Sequence, residues 1–172
     1  MRTLFLVGLL VTLVQFNHET LAQTPVVTGA RITWYGNYAP GATKLVKDPN
    51  STTGERRISS GILPPSTNTD RIPFDPDTRF GFGYELIGNR TNGPVSLKYV
   101  TKIPAPGVLD AKTGQRMTVL ENTYQNLALD RKDLFCGEFL GDYKEPPRGI
   151  WILQVWYGQR MLLEKSFTVG NP

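Results

Sequence analysis

The residue types that most enzymes use as nucleophile and base are scarce in this chain. Among its 172 residues, His18 is the only histidine and Cys136 is the only cysteine. Ser-His-Asp and Cys-His arrangements need an imidazole base, and zinc sites built from His and Cys need three or four such ligands together. His18 falls in an N-terminal segment that we expect to be removed. We therefore expect neither chemistry, and no cofactor.

Carboxylates are the remaining groups that could carry out acid–base chemistry. A glycosidase places two carboxyl groups roughly 5–10 Å apart across a sugar. Asp75-Pro76-Asp77 is typical of a turn, because Asp side chains cap turns, and a calcium site is the alternative interpretation. Glu85, Glu138 and Asp142 are expected on the solvent-exposed faces of strands. The sequence therefore indicates no catalytic residue and no metal ligand.

Aromatic side chains are the other possible source of function, as a stacking surface for sugars or a contact for a partner protein. Trp34 and Trp151 alternate in phase with apolar neighbours, so we predict both in the core. The candidate binding residues are Trp156, Tyr157, Tyr35 and Tyr38.

The position of Trp156 and Tyr157 depends on how the two closing strands pair. The apolar residues of Gly149–Val169 are mostly odd-numbered in both runs, whereas a two-residue loop pairs odd with even positions. We therefore predict a three-residue loop, Trp156-Tyr157-Gly158, with Gly158 in the left-handed region. Both aromatic residues then lie at the tip, and the alternative folds Trp156 back over the end of the domain. The predicted pairs are Val155 with Gln159, Leu153 with Met161, and Trp151 with Leu163.

The N-terminus is typical of a secretory signal peptide. Arg2 precedes an apolar run from Leu4 to Val14, and Thr20-Leu21-Ala22 offers small residues for cleavage. A spanning helix needs roughly 20 apolar residues, so this run is too short to be a membrane anchor. We expect residues 1–22 to be removed, which leaves residues 23–172 as a single domain without an integral membrane anchor, in the periplasm or secreted.

The rest of the chain has the periodicity of strands. Phe80–Leu86 has an apolar residue at every even position, and on its other face Gly81 and Gly83 would let another group approach the backbone closely. About seven strands without βαβ alternation predict an all-β fold, an antiparallel immunoglobulin-like β-sandwich. The other predicted strands are Val26–Tyr35, Val95–Thr101, Met117–Glu121, Phe135–Phe139 and the closing pair. A long polar loop region near 36–78 carries a short strand at Glu55–Ser59. Later in the chain, a single helical turn is expected at Asp130–Asp133.

The net charge and the single cysteine restrict the classes of partner that we expect. The net charge is +4 and the basic residues are scattered, without the basic stripe and interleaved aromatics of a nucleic-acid interface, so no nucleic acid partner is expected. Cys136 lies in an apolar stretch and is expected to be a small buried packing residue, with an intermolecular disulfide as the alternative.

Several segments also resemble a known family. Phe80–Leu86, Asp110–Gly114, Gly149–Trp151 leading into Glu164–Val169, and Tyr35–Tyr38 are similar to a family of bacterial exported proteins that is catalogued as a domain of unknown function and taken to be immunoglobulin-like. The resemblance covers roughly Ile32 to Val169. It implies a bacterial origin and an immunoglobulin-like scaffold, and it brings no activity or binding residues.

These observations predict a non-catalytic exported binding or structural module of the bacterial envelope, with an unknown protein or glycan as partner. The alternative is a carbohydrate-active protein, either a lectin-like module that uses the aromatic tip or a hydrolase that uses a carboxylate pair. A concave cleft with two carboxylates beside an aromatic side chain would favour the hydrolase. A third possibility is pairing with another chain through an exposed edge strand.

Overall fold

The structure, a computed structural model, describes residues 26–47, 55–59, 61–89, 94–110, 112–128 and 134–170. The expected signal peptide and the expected helical turn at Asp130–Asp133 lie outside the described residues. None of the helices in these ranges is both long and apolar enough to cross a membrane.

Strands account for most of the described residues. In chain order they are β1 (Val27–Asn37), β2 (Ala39–Pro40), β3 (Thr43–Lys47), β4 (Glu55–Ser59), β5 (Ile62–Leu63), β6 (Arg71–Ile72), β7 (Arg79–Gly88), β8 (Pro94–Lys102), β9 (Val108–Leu109), β10 (Arg116–Met117), β11 (Val119–Ala128), β12 (Leu134–Phe139), β13 (Gly149–Tyr157) and β14 (Arg160–Val169), with a 3-10 turn at Leu140–Asp142 after β12. The predicted strand at Glu55–Ser59 is confirmed. Within the described ranges seven strands have six or more residues, which agrees with the prediction of about seven.

Two main sheets form the body of the protein. A three-stranded sheet has the order β1-β7-β12, and a five-stranded sheet has the order β11-β8-β13-β14-β6. Every pairing in them is antiparallel except that of β6 with β14. The predicted all-β class is confirmed. The core includes Phe80, Phe82, Tyr84, Leu97, Cys136, Trp151, Leu153, Val155, Phe167 and Val169.

Strand β7 shows why the sequence forms this core. Its even residues Phe80, Phe82 and Tyr84 are fully buried, and the burial of one such side chain contributes roughly 1.5–3 kcal/mol. Because side chains alternate across a strand, Gly81 and Gly83 face outward. Cys136 pairs with Phe82 and is buried without a disulfide, which confirms its predicted role in packing.

The predicted three-residue loop between β13 and β14 is wrong. The turn has two residues, Gly158 and Gln159, and Tyr157 pairs with Arg160. A register shift follows between Val155 and Trp156, since β14 carries one extra residue there. This β-bulge restores the odd-to-odd matching that the sequence demands, so the mismatch is resolved inside the strand and not in the loop. The observed pairs are Trp156 with Met161, Val155 with Leu163, Leu153 with Lys165, and Trp151 with Phe167.

A second bulge corrects the prediction that Trp34 lies in the core. In β1, Ile32 pairs with core-facing Tyr84, whereas Trp34 pairs with outward-facing Gly83. The register shift between Ile32 and Trp34 turns Trp34 to the outer face and brings Tyr35 to the core face. Trp151, by contrast, is fully buried as predicted.

The segment from Asn68 to Ile72, which we call the strap, closes one side of the sandwich. Asn68 Oδ1 accepts a hydrogen bond of 3.0 Å from the Tyr35 backbone N–H on β1. The Asp70 carbonyl accepts one of 2.7 Å from the Thr168 N–H on β14, and Ile72 pairs with Val169. The strap therefore joins β1, an edge strand of one sheet, to β14 of the other, where its own β6 forms the edge. The sequence predicts a long polar loop in this region.

Arg160 connects the closing hairpin to the first strand. Its guanidinium donates hydrogen bonds to the carbonyl oxygens of Val27 and Thr28. Next to it, Tyr157 and Leu162 pack on Val27 and Val95. The hairpin end is thus fixed to β1 across the end of the sandwich.

Candidate functional site

Trp156 and Tyr157 are the last two residues of β13 and point to opposite faces of the five-stranded sheet. Tyr157 packs inward against Val27 and Val95. Trp156 is half-buried on the outer face, where its Nε1–H donates to Gln154 Oε1 at 3.0 Å and Lys98 Nζ lies 5.4 Å from the ring centre. They do not form the joint aromatic tip that the sequence suggested, because the turn begins two residues later, at Gly158.

Tyr35 and Tyr38 are likewise placed differently from each other. Tyr35 lies on the core face of β1, partly buried, and Lys165 Nζ lies 4.0 Å from its ring centre. Tyr38 follows β1 and its ring packs at the outer surface of the three-stranded sheet, where its Cε1 lies 3.1 Å from the position of a Cβ at Gly137. Tyr38 is thus the candidate from this pair that lies outside the core.

Three aromatic side chains, Trp34, Tyr38 and Phe135, cover the outer surface of the three-stranded sheet, and we call this surface the aromatic face. The ring centres of Trp34 and Tyr38 are 6.0 Å apart, and those of Tyr38 and Phe135 are also 6.0 Å apart. Both contacts are edge-to-face, the arrangement that aromatic quadrupoles favour. Phe135 is 37% exposed.

Glycines make this arrangement possible. Gly83 lies between Trp34 and Phe135 in the register of the sheet. A Cβ at Gly83 would lie within 2.0 Å of the Trp34 indole, so a side chain there would displace the ring. The close approach that the sequence indicated comes from the protein's own tryptophan at Gly83 and from the backbone of Cys136 and Gly137 at Gly81. Together with Tyr38, Gly83 was the sequence signal that pointed to the aromatic face.

The aromatic face ends at a cation. The Arg79 guanidinium carbon lies 3.8 Å from the centre of the Phe139 ring, and the Arg79 carbonyl accepts a hydrogen bond of 2.9 Å from the Tyr38 N–H. Burial, followed by the charge of Glu138, raises the pKa of Tyr38 well above its usual value, and Arg79 opposes this. Tyr38 is therefore neutral at physiological pH, and its ring packs between Trp34 and Phe135.

The prediction that Glu138 faces solvent is wrong. Glu138 pairs with core-facing Phe80 and, since residues two apart on a strand share a face, it points inward with Cys136. Its Oε1 accepts a hydrogen bond of 2.5 Å from Thr101 Oγ1 on β8. Its Oε2 accepts one of 2.5 Å from the Tyr143 hydroxyl. Glu138 therefore links the two sheets.

Burial determines the protonation of this group and its neighbours. It raises the pKa of Glu138, while the hydrogen bonds from Thr101 and Tyr143 oppose the rise and Asp142 adds to it. Burial first, and the Glu138 charge second, raise the pKa of the Tyr143 phenol and of the Cys136 thiol. A buried neutral thiol is a poor nucleophile, so Cys136 has no reactive character here.

The other acidic residues named in the sequence analysis take part in turns or ion pairs. Asp75 forms a turn, as predicted, because its carboxylate accepts a hydrogen bond of 2.7 Å from the Asp77 N–H. Glu85 lies in an ion pair with Arg31 at 2.8 Å. Asp142 lies in the 3-10 turn and not on a strand face. In the described part of the chain no three His, Cys, Asp or Glu side chains come close enough to hold a metal ion.

Comparison with known proteins identifies the scaffold. A family model described as a domain of unknown function (DUF3859) matches residues 30–169. The chain is also similar to an immunoglobulin-like protein from Pseudomonas aeruginosa of known crystal structure, with 26% sequence identity, a TM-score of 0.52, and coverage of 87% of this chain and 98% of that one. No functionally curated protein matches the chain. The resemblance to an immunoglobulin-like family is therefore confirmed.

Proposed function

The chain belongs to the DUF3859 family, whose description states no activity, and from its surface we propose that it is a non-catalytic binding module of the bacterial envelope. In this proposal residues 1–22 direct export to the periplasm or the medium, and the partner is a protein or a glycan. The ligand-contacting surface is the aromatic face.

One observation carries the proposal: the aromatic face lies on the outside of a sheet whose other side already faces the core. Outer faces of sandwich sheets are ordinarily polar. The outer face of the five-stranded sheet is mixed, since Lys98 is paired to Glu121 at 3.5 Å and Gln154 is bonded to Glu164 at 2.6 Å beside Trp156 and Ile150. The aromatic face differs because its three rings contact one another. Exposed apolar surface of this kind is characteristic of interaction sites, and aromatic side chains are favoured there.

The surroundings of Glu138 support a binding module over a hydrolase. A general acid must direct its proton at a substrate atom. Both Glu138 oxygens instead face hydroxyl groups of the protein, on Thr101 and Tyr143. This carboxyl group is used for hydrogen bonds between the two sheets.

The test compares substitutions on the two outer faces. We expect Phe135→Ser to reduce capture of envelope components, measured by quantitative pull-down and by glycan-array binding with purified protein, at least tenfold. Ile150→Ser is the matched control, because Ile150 is 59% exposed on the outer face of the other sheet. Its binding should equal that of the wild type.

Thermal unfolding of both variants shows whether a loss reflects binding or folding. Removal of an exposed ring changes the free energy of unfolding little. An important ligand contact at an interface contributes roughly 1 kcal/mol or more to the free energy of binding. Equal binding by wild type and Phe135→Ser, with both proteins folded, would show that the aromatic face is not the contact surface.

A further inference from the structure

A cavity of about 460 Å³ lies where the strap joins the edge of the five-stranded sheet. Its volume falls in the range of small-molecule sites, roughly 300–1,000 Å³. It is separate from the aromatic face, which lies on the other sheet. The lining comes from the strap and the residues after it, Asp70–Phe74, together with Arg148, Thr168 and Gly170.

Arg148 is held in place on two sides. Its guanidinium carbon lies 4.0 Å from the centre of the Phe74 ring, a cation–π contact that orients the planar group. Gly170 leaves room on the other side, since a Cβ there would lie 2.9 Å from Arg148 Nη1. A guanidinium fixed in this way has already lost much of the freedom that ligand binding would remove.

Arg71 brings a second guanidinium to the same cavity. Its backbone is fixed by pairing with Thr168 and by a hydrogen bond of 3.1 Å from its N–H to Thr69 Oγ1. Two surface arginines have carboxylate partners, Arg31 with Glu85 at 2.8 Å and Arg116 with Glu145 at 2.7 Å. Across the described ranges, no ion pair of this kind forms at Arg71 or Arg148.

We propose that this cavity binds a phosphate group. Two guanidinium groups match the two negative charges of a phosphate monoester, and each can donate two parallel hydrogen bonds to its oxygens. The Thr168 hydroxyl supplies a neutral donor. Asp70 also lines the cavity, so the two guanidinium groups leave a net positive charge there.

The experiment follows the backbone and arginine side-chain NMR signals of the purified protein during titration. The three probes are inorganic phosphate, glucose 6-phosphate, and vesicles of phosphatidylcholine with one fifth phosphatidylglycerol, which separate free phosphate, a phosphorylated sugar and a lipid headgroup. We expect saturable shifts at Arg71, Arg148 and Thr168 with at least one probe. Arg71→Gln and Arg148→Gln should each weaken that binding about tenfold, the effect of losing roughly 1.4 kcal/mol.

Arg116→Gln is the control, because it removes a surface arginine outside the cavity, and Phe135→Ser should also bind the probe normally. That second control separates this site from the aromatic face, so each proposal can fail alone. If Arg148→Gln is unfolded, the titration of Arg71→Gln still tests the proposal, because Arg71 is exposed. Absence of a saturable shift with all three probes, or equal binding by the cavity variants and Arg116→Gln, would overturn the assignment.

Discussion

Glu138 is a carboxyl group whose hydrogen bonds link the two sheets. Its two oxygens accept hydrogen bonds from Thr101 and Tyr143, and close by a second polar contact, Tyr84 to Tyr99 at 2.6 Å between hydroxyl oxygens, joins β7 to β8. Buried polar groups are tolerated when they are satisfied in this way. The cost of burying the charge remains, and it appears as the raised pKa of Glu138.

That raised pKa predicts a pH dependence of stability. Between the ordinary carboxyl pKa of 4.5 and the higher value in the folded protein, the folded state binds more protons, so its free energy of unfolding falls as pH rises. Glu138→Gln keeps the shape and stays neutral, so this contribution is absent. Urea unfolding from pH 4 to 8 should show the variant gaining stability relative to the wild type as pH rises.

Glu145→Gln serves as the control for a carboxylate at the surface, where an exposed ion pair contributes about 0–1 kcal/mol. Its stability should track that of the wild type across the same pH range. Parallel curves for Glu138→Gln and the wild type would contradict the assignment of a raised pKa to Glu138.

The direction of Glu138 also shows the limit of sequence analysis at single positions. Phe135 and Phe139 favour one face of β12 as the core, and Cys136 favours the other. With apolar residues on both faces, the alternation alone does not say which is buried. The outer aromatic rings resolve the conflict, because Phe135 packs against Tyr38 and not in the core.

At the scale of elements, strands with a long alternation of apolar and other residues could be predicted from the sequence, whereas β-bulges and very short strands could not. Strand β7 could be identified from its even-numbered apolar residues alone. The bulges in β1 and β14 depend on which partner strand each meets, and two-residue strands such as β2 and β6 have no periodicity to detect. The parity argument for the closing hairpin correctly required one extra residue, and the structure places it within β14.

The turn of that hairpin yields a prediction. Gly158 has φ +58° and open space around it, so only the backbone conformation restricts substitution. Gly158→Ala should destabilise the protein by about 1 kcal/mol, because the left-handed region is unfavourable for a residue with a Cβ. Gly158→Asn should lose less, since Asn tolerates this region.

Gly61→Ala is the matched control, because Gly61 also has open space around it. Unlike Gly158, Gly61 is not one of the described glycines with a positive φ. Its midpoint in chemical unfolding should stay close to that of the wild type. If the two alanine variants were equally stable, the turn would not constrain residue 158.

At the scale of the whole molecule, the strap explains how two sheets of unequal size are closed on one side. It contacts β1 through Asn68 and β14 through Asp70. Asn68→Ala removes one of these hydrogen bonds, worth roughly 0.5–1.5 kcal/mol. We expect faster amide hydrogen exchange at Tyr35 and Thr168 in this variant.

Asn89→Ala removes a comparable bond, since Asn89 Oδ1 accepts a hydrogen bond of 2.7 Å from the Val26 N–H. Its effect should be confined to the opposite end of β1, with unchanged exchange at Thr168. Faster exchange at Thr168 in both variants would indicate that the sandwich opens as one unit and that the strap has no separate role.

The contact of Arg160 with β1 has a consequence for the order in which the protein can be completed. The arginine lies 133 residues after Val27, whose carbonyl it binds. A ribosome finishes β1 long before it makes the residue that secures the start of that strand. Neither the pairing of β13 with β14 nor the attachment of β1 to them can form before β14 has been synthesised, so a nascent chain that ends before Arg160 cannot reach the native state.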